Sequence, residues 1–216
     1  MEYRAVIFDL DGTLADTLED IGDTMNRILA SCGYPAHSYH AYRFMVGGGL
    51  RNLVTQSLPE QARTEQIIEE CHARMRADYE QCYIKKTRLY DGIAETLNAL
   101  SLWNVKLAVL SNKANAITQK ICSALLQDRP FKIILGADER FPLKPDPQST
   151  LFIAGRLGLS SAEVCYLGDS NVDMQTARAA GCYAVGAGWG FRPKEELLQS
   201  GAQLVIDYPT ELLSLF

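Results

Sequence analysis

Apolar and polar positions along this chain fall into blocks that predict strands and helices in turn. The first apolar run, residues 5–8, leads into Asp9 and is uniformly apolar, which is typical of a strand buried on both faces. Later apolar runs predict further strands at 105–111, 131–135, 163–169, 182–185 and 204–206. Helical spacing of apolar residues between them predicts helices at 93–102, 114–127, 148–158, 172–180 and 193–199. This alternation predicts an α/β fold with a doubly wound, Rossmann-like parallel sheet and right-handed crossovers.

The segment between the first strand and residue 89 has a different pattern, because only helical spacing is found there. Asp16 or Thr17 is expected to cap the first of these helices, and Gly33 to end it. The remaining helices of the segment are predicted at 38–46, 50–57 and 60–83. We therefore expect an α/β core formed by residues 1–15 and 89–216, with residues 16–88 inserted as a helical cap domain.

Composition narrows the classes of partner. The chain has 216 residues, 47% hydrophobic residues and a net charge of −5, so it has no general attraction for nucleic acid or for an anionic membrane. No apolar run approaches the length of a membrane span, and no signal-peptide pattern is present. The six cysteines form no CxxC pair, so we expect reduced thiols and a cytoplasmic protein. We expect the protein to be either a monomer or a homodimer.

Polar clusters follow the major predicted strands, and parallel strands place these ends at one edge of a sheet. Asp9 and Asp11 follow the first strand, and two carboxylates so close together at a core edge are costly unless a cation lies between them. The later clusters are 111–113, 144–147 and 168–173. Each cluster alone also has a structural interpretation as a turn, a helix cap or a solvated lysine. Their combination predicts a divalent-metal site with a carboxylate that can attack a substrate.

With these clusters in place, the chain resembles the haloacid dehalogenase-like superfamily of phosphohydrolases. The resemblance rests on DLDGT (9–13), the strand-terminal Ser111, Lys144 in KPDP, and GDSNVD (168–173), in the family's order and over nearly the whole chain. The insert directly after the first motif resembles the family's helical cap. This resemblance implies phosphate-ester hydrolysis with Mg²⁺ as cofactor.

The resemblance also implies roles for the acidic residues. Asp9 is expected to be the nucleophile that forms an aspartyl-phosphate, with Mg²⁺ held by Asp9, Asp169 and the backbone carbonyl of Asp11. Asp11 is expected to protonate the leaving alkoxide and then to deprotonate water. Members that cleave phosphonates carry alanine at this position, so the aspartate favours ester hydrolysis or phosphotransfer. Asp173 is expected to anchor Lys144 or a metal-bound water.

The remaining expected groups hold the phosphoryl oxygens and the loops. Ser111 and the backbone amide of Asn112 are expected to bind those oxygens, and Lys144 to pair with both nucleophile and phosphate. Thr13 is expected to orient the first motif by a hydrogen bond.

Within the superfamily, FMVGGGLRNLVTQSL (44–58) is similar to the cap of phosphoglycolate phosphatases, whereas Asp91-Gly92 stands where that branch commonly has Pro-Gly. Gly48, Gly49 and Arg51 are therefore expected to contact the leaving group, with Arg51 suited to a carboxylate or a second phosphate. The histidines at 37, 40 and 72 lack metal-ligand spacing and are expected to be surface or packing residues.

The resulting hypothesis is a Mg²⁺-dependent phosphatase whose partner is a small-molecule phosphate ester, with phosphoglycolate, other esters and pyrophosphate all open. A sugar-phosphate mutase of the same superfamily is one alternative. A phospho-accepting receiver or binding module is another, although a receiver has no use for the helical insert.

Overall fold

The computed structural model describes residues 3–127 and 129–216, so Met1, Glu2 and Asp128 lie outside the described part. Its eight strands are β1 (Ala5–Phe8), β2 (Ala15–Asp16), β3 (Arg88–Leu89), β4 (Lys106–Ala114), β5 (Phe131–Ala137), β6 (Val164–Gly168), β7 (Tyr183–Ala187) and β8 (Leu204–Ile206). Its α-helices are α1 (Leu18–Ser31), α2 (Tyr39–Met45), α3 (Leu50–Ser57), α4 (Glu65–Cys82), α5 (Ile93–Leu102), α6 (Asn115–Leu125), α7 (Gln148–Arg156), α8 (Asn171–Ala180) and α9 (Lys194–Gln199). Short 3₁₀ turns cover Glu60–Ala62, Ser161–Glu163 and Pro209–Leu215.

Six strands form one parallel sheet in the order β5-β4-β1-β6-β7-β8. β1 lies at its centre between β4 and β6, and each of its four residues is fully buried. Because successive side chains of a strand point to opposite faces, Val6 and Phe8 belong to one hydrophobic cluster and Ala5 and Ile7 to the other. The predicted doubly wound α/β core is confirmed.

Helices α1 to α4 form the inserted helical cap, which is also confirmed as part of the fold. Tyr42 and Met75, the latter on α4, are fully buried within it. β2 and β3 enter and leave the insert as a short antiparallel pair, with Ala15 opposite Leu89. This pair was not predicted from the sequence, because a strand of two residues is too short to show an alternation of apolar and polar positions. The domain boundaries at 15/16 and 88/89 stay a prediction.

The ends of several predicted elements differ from the observed ones by one or two residues, and two elements differ by more. The single helix predicted over 60–83 is a 3₁₀ turn followed by α4, because Thr64 caps a new start by accepting a hydrogen bond from the backbone N–H of Ile67. β4 continues to Ala114, three residues past the predicted end. The cysteines are free thiols, and within the described residues no helix is long and apolar enough to cross a membrane.

Candidate active site

The candidate site lies at the carboxyl edge of the parallel sheet. Asp9 directly follows β1, Asp169 directly follows β6, and Lys144 lies in the loop after β5. Ser111 and Asn112 lie in the last part of β4. Because these strands are parallel and adjacent, their ends carry residues far apart in sequence to one place.

A buried lysine joins two of the carboxylates. Lys144 Nζ lies 2.7 Å from Asp9 Oδ1 and 2.7 Å from Asp173 Oδ1, and it also donates to the carbonyl of Leu110 at 3.3 Å. All three charged side chains are at most 9% exposed. Burial opposes the charge on Lys144, yet Asp173 and Asp9 hold its pKa well above the ordinary value. The lysine therefore stays charged beside the predicted nucleophile.

Negative charge exceeds positive charge in this cluster. Oxygen atoms of Asp9, Asp169 and Asp173 lie within 4.8 Å of one another, all on buried residues. Burial first, and then Asp173, raise the pKa of Asp9 to about 7 against the attraction of Lys144. Burial and the charges of Asp9 and Asp173 raise the pKa of Asp169 well above its ordinary value. Three carboxylates with one lysine suit a hard divalent cation.

The hydrogen bonds distinguish the three carboxylates as possible metal ligands. Both oxygens of Asp173 are engaged, Oδ1 by Lys144 and Oδ2 by the backbone N–H and hydroxyl of Ser170. Asp169 Oδ2 accepts from the backbone N–H of Phe191 at 2.7 Å, and its Oδ1 has only a 3.4 Å contact from the Thr13 hydroxyl. Among the described residues, no donor reaches Asp9 Oδ2. Asp9 and Asp169 therefore have the free oxygen atoms that a cation needs.

The loop after β1 is fitted closely around Asp169. Gly12 has φ +84°, a left-handed conformation that favours glycine, and a Cβ there would overlap the Asp169 carboxylate. Gly190 packs against the same side chain from the loop after β7. The indole N–H of Trp189 donates to the carbonyl of Thr13 at 3.0 Å. This packing sets the position of Asp169 relative to the first motif.

Asp11 is held by a lysine that the sequence analysis did not select. Lys113 Nζ lies 2.9 Å from Asp11 Oδ1 and donates to the Tyr79 hydroxyl on α4 at 3.0 Å. The Thr17 hydroxyl, which was expected to cap α1, donates instead to Asp11 Oδ1 at 2.7 Å. Burial opposes the charge on Lys113, but Asp11 raises its pKa above the ordinary value. Only the position of Lys113 directly after Asn112 hinted at this role.

The predicted phosphate-binding residues of β4 lie next to this cluster. Ser111 is 3% exposed, and its Oγ accepts from the backbone N–H of Lys113 at 3.2 Å. The Asn112 side chain bonds the backbone of Lys144 in both directions, at 2.8 and 3.0 Å, and donates to the carbonyl of Gly47 at 3.0 Å. The Asn112 side chain therefore ties the loop that carries Lys144 to the helical insert. Its backbone N–H is the group of Asn112 that was predicted to bind phosphate.

The insert and the sheet edge enclose a cavity of about 390 Å³, which Gly48, Gly49 and Arg51 help to line. The structure does not present Arg51 to the cavity as an unpaired cation. Its Nη2 lies 2.6 Å from Glu65 Oε1, and its Nη1 lies 2.6 Å from Glu69 Oε1. The expected contact between Arg51 and an anionic leaving group would have to displace these partners.

Comparison with known proteins agrees with this geometry. The family model described as haloacid dehalogenase-like hydrolase matches residues 6–187. Phosphoglycolate phosphatase 1 of Pseudomonas aeruginosa is 30% identical over 97% of this chain and 78% of its own. A phosphoglycolate phosphatase of Colwellia psychrerythraea is 29% identical over 98% of this chain and 96% of its own.

Solved structures show the same likeness. A crystal structure of a predicted phosphoglycolate phosphatase from Haemophilus somnus 129Pt is 28% identical, has a TM-score of 0.90 and covers 99% of this chain and 98% of its own. The resemblance seen in the sequence is thereby confirmed, both for the superfamily and for the phosphoglycolate-phosphatase-like branch. The chain belongs to the haloacid dehalogenase-like hydrolases.

Proposed function

We propose that this enzyme is a Mg²⁺-dependent phosphatase that hydrolyses small-molecule phosphate monoesters through a phosphoaspartate on Asp9. The observation that carries the proposal is the buried pair between Asp9 and Lys144, with Asp169 beside it and Asp11 two residues along the chain. Family membership and the names of the relatives support the phosphatase activity. Phosphoglycolate is a candidate substrate because those relatives are named for it.

The donor set fits Mg²⁺. Asp9 and Asp169 would hold the ion through carboxylate oxygens, together with the backbone carbonyl of Asp11, and hard oxygen ligands are those that Mg²⁺ prefers. When bound, the ion neutralises carboxylate and phosphate charge, which lowers the repulsion between an anionic nucleophile and an anionic substrate.

The residues of the chain then divide the reaction into two transfers. A carboxylate oxygen of Asp9 forms a bond to phosphorus while the bond from phosphorus to the ester oxygen breaks. Asp11, whose carboxylate form pairs with Lys113 and which must be protonated for this step, gives its proton to the leaving alkoxide. Asp11 next takes a proton from water as that water attacks phosphorus, which releases phosphate and restores the Asp9 carboxylate. Phosphate monoesters are among the slowest substrates to react unaided, so both transfers depend on alignment and charge.

The other groups of the site align and neutralise. Lys144 pairs with the nucleophile and the phosphate, and Asp173 orients Lys144 from the far side. The Ser111 hydroxyl and the Asn112 backbone N–H hold phosphoryl oxygens. Thr13 fixes the first motif against Asp169.

The test is hydrolysis of p-nitrophenyl phosphate by Asp9→Asn and by the matched control Asp91→Asn, an exposed carboxylate on the surface. We expect no measurable turnover by Asp9→Asn and full turnover by the control. Exhaustive chelation is expected to abolish wild-type turnover, and added Mg²⁺ to restore it. Multiple turnover by Asp9→Asn, or full activity after chelation, would refute the proposal. Release of inorganic phosphate from a sugar monophosphate, without an isomeric sugar phosphate, separates a hydrolase from a mutase.

A further inference from the structure

The cavity above the site lies between the helical insert and the core, and hydrogen bonds join the two. Asn112 donates to the carbonyl of Gly47, and Lys113 donates to the Tyr79 hydroxyl, each at 3.0 Å. On the other side, Arg192 donates to the carbonyl of Phe44 at 2.9 Å. These bonds tie the insert to the core on both sides, so the space between them is available to a substrate in the docked arrangement.

This space is larger than a two-carbon acid needs. Its volume of about 390 Å³ lies in the range of about 300–1,000 Å³ that is typical of pockets for drug-sized ligands, and it includes the space beside Asp9 and Lys144 that the phosphoryl group would take. The carboxylate carbon of a glycolate leaving group lies only about 2–3 Å from the ester oxygen, at bond lengths of about 1.5 Å. Phosphoglycolate therefore fills only the inner part of the cavity.

Helix α4 shows how far the cavity extends. Its lining residues include His72, Met75 and Tyr79, which share one face at spacings of three and four residues. Tyr79 contacts Lys113, which holds Asp11, so this end of the row lies next to the reacting groups. His72 lies seven residues away, which is about 10 Å along a helix. The lined space is thus several carbon–carbon bonds deeper than glycolate reaches.

The wall along this depth is apolar. Ile21 and Leu53 of the insert and Ile117 and Leu143 of the core line the cavity, and Leu143 keeps 45% of its surface accessible. These side chains come from both the insert and the core, so a ligand between them would be desolvated on several sides. An apolar body gains free energy from such a wall, whereas the carboxylate of a short acid gains none from it.

The cations near the wall do not offset this. Lys113 is committed to Asp11, Arg51 to Glu65 and Glu69, and Arg192 to Glu196 and the carbonyl of Phe44. Arg76, one turn from Tyr79 on α4, also lines the cavity and is exposed. It favours the alternative, a short anionic leaving group, because its guanidinium could bind such a group at the solvent edge.

From these observations we propose that the preferred substrates are phosphate monoesters of alcohols with an apolar body several carbons long. Phosphoglycolate is then a poor fit. This inference rests on the proposed phosphatase activity and concerns only the leaving group. The apolar body would pack against Leu53, Ile117 and Leu143, with its phosphate at Asp9.

The test is a series of n-alkyl phosphates from ethyl to octyl with the wild-type enzyme, because the reactivity of the leaving group is nearly constant along the series. We expect kcat/KM to rise about fourfold for each added methylene over the first several, the increase that burial of about 0.8 kcal/mol per methylene gives. Hexyl phosphate should outrank phosphoglycolate. A flat or falling series, or a preference for phosphoglycolate over every alkyl ester, would overturn the inference and point to Arg76 instead. Failure to hydrolyse any ester, including p-nitrophenyl phosphate, would refute the proposed function itself.

Variants of Ile117 add a structural control. Ile117→Trp should shorten the cavity and lower the ratio of kcat/KM for hexyl over ethyl phosphate at least tenfold, whereas Ile117→Leu, which nearly conserves volume, should keep the ratio within about threefold. An unchanged ratio in Ile117→Trp, with an unchanged melting temperature, would contradict the placement of the apolar body. If Ile117→Trp does not fold, the alkyl series with the wild type still decides the question.

Discussion

Asp9→Asn is expected to stabilise the metal-free protein, and to do so more at pH 8 than at pH 5. The reason is the pKa of Asp9, which burial and the neighbouring Asp173 raise to about 7 from an ordinary 3.8. Since the folded state holds this proton more tightly than the unfolded chain, the free energy of unfolding falls as pH rises from about 4 to about 7. Asparagine has no such proton to lose, so the variant escapes this loss.

The size of the effect follows from the two pKa values. A pKa of about 7 against 3.8 corresponds to about 4 kcal/mol at about 1.4 kcal/mol per tenfold, and the whole of it is lost above pH 7. At pH 5 the loss is only about 2 kcal/mol, because pH 5 lies only about one unit above the ordinary pKa of 3.8, at which the unfolded chain begins to release the proton. The amide can still accept from Lys144, and Asp173 keeps its own bond to the lysine, so the variant preserves the local contacts.

The assay is urea unfolding in EDTA at pH 5 and pH 8, followed by circular dichroism, for wild type, Asp9→Asn and the exposed control Asp91→Asn. Saturating Mg²⁺ at pH 8 should recover stability in the wild type, by about 2.7 kcal/mol at a hundred times its Kd, and less in Asp9→Asn. An Asp9→Asn increment that is the same at both pH values would refute the reasoning, since a contact that does not titrate cannot produce the difference. A control that shows the same dependence would assign it to general surface charge.

Two further substitutions test the packing of the site. Gly12→Ala and Gly33→Ala both place a side chain at positive φ, but only Gly12 faces the Asp169 carboxylate, whereas the space around Gly33 is open. We therefore expect kcat/KM to fall at least a hundredfold in Gly12→Ala and little in Gly33→Ala. Equal losses in steady-state assays would contradict this. Lys113→Met leaves Asp11, whose side chain is 11% exposed, without its ion-pair partner and should cost about 3 kcal/mol of unfolding free energy. Tyr79→Phe removes one hydrogen bond and should cost about 1 kcal/mol, and equal costs in urea unfolding would show that Lys113 acts mainly through the tyrosine.

The fold was readable from the sequence because the strands of the core are uniformly apolar and the helices between them keep helical spacing. The uninterrupted run of β1 alone predicts a central strand, and the structure places it there. The pair β2 and β3 could not be found in this way. Two residues carry no period, and their pairing depends on the return of the chain after an insert of more than seventy residues.

The site was partly readable for a related reason. Polar residues at the ends of parallel strands must share one edge, so Asp9, Asp169 and Lys144 could be expected together before any coordinates. Lys113 was missed because its role depends on a contact across 34 residues to Tyr79, which no local pattern encodes. Arg51 was expected at the leaving group because segment 44–58 is similar to the cap of phosphoglycolate phosphatases, yet its guanidinium contacts glutamates of α4 that the sequence pattern could not place.

The charges of the site explain why one arrangement can serve both ion binding and catalysis. Lys144 neutralises one of the three clustered carboxylates, and Lys113 neutralises Asp11 separately, so the cluster keeps two negative charges that a divalent cation would cancel. Without that cation, burial and then Asp173 raise the pKa of Asp9 to about 7, so a large share of Asp9 is protonated and non-nucleophilic at neutral pH. With the cation, the carboxylate can stay ionised at neutral pH, and an incoming phosphate dianion meets a cluster without net charge. The proposed requirement for metal in turnover and the expected pH-dependent cost to stability therefore have the same physical origin, the burial of Asp9 among like charges.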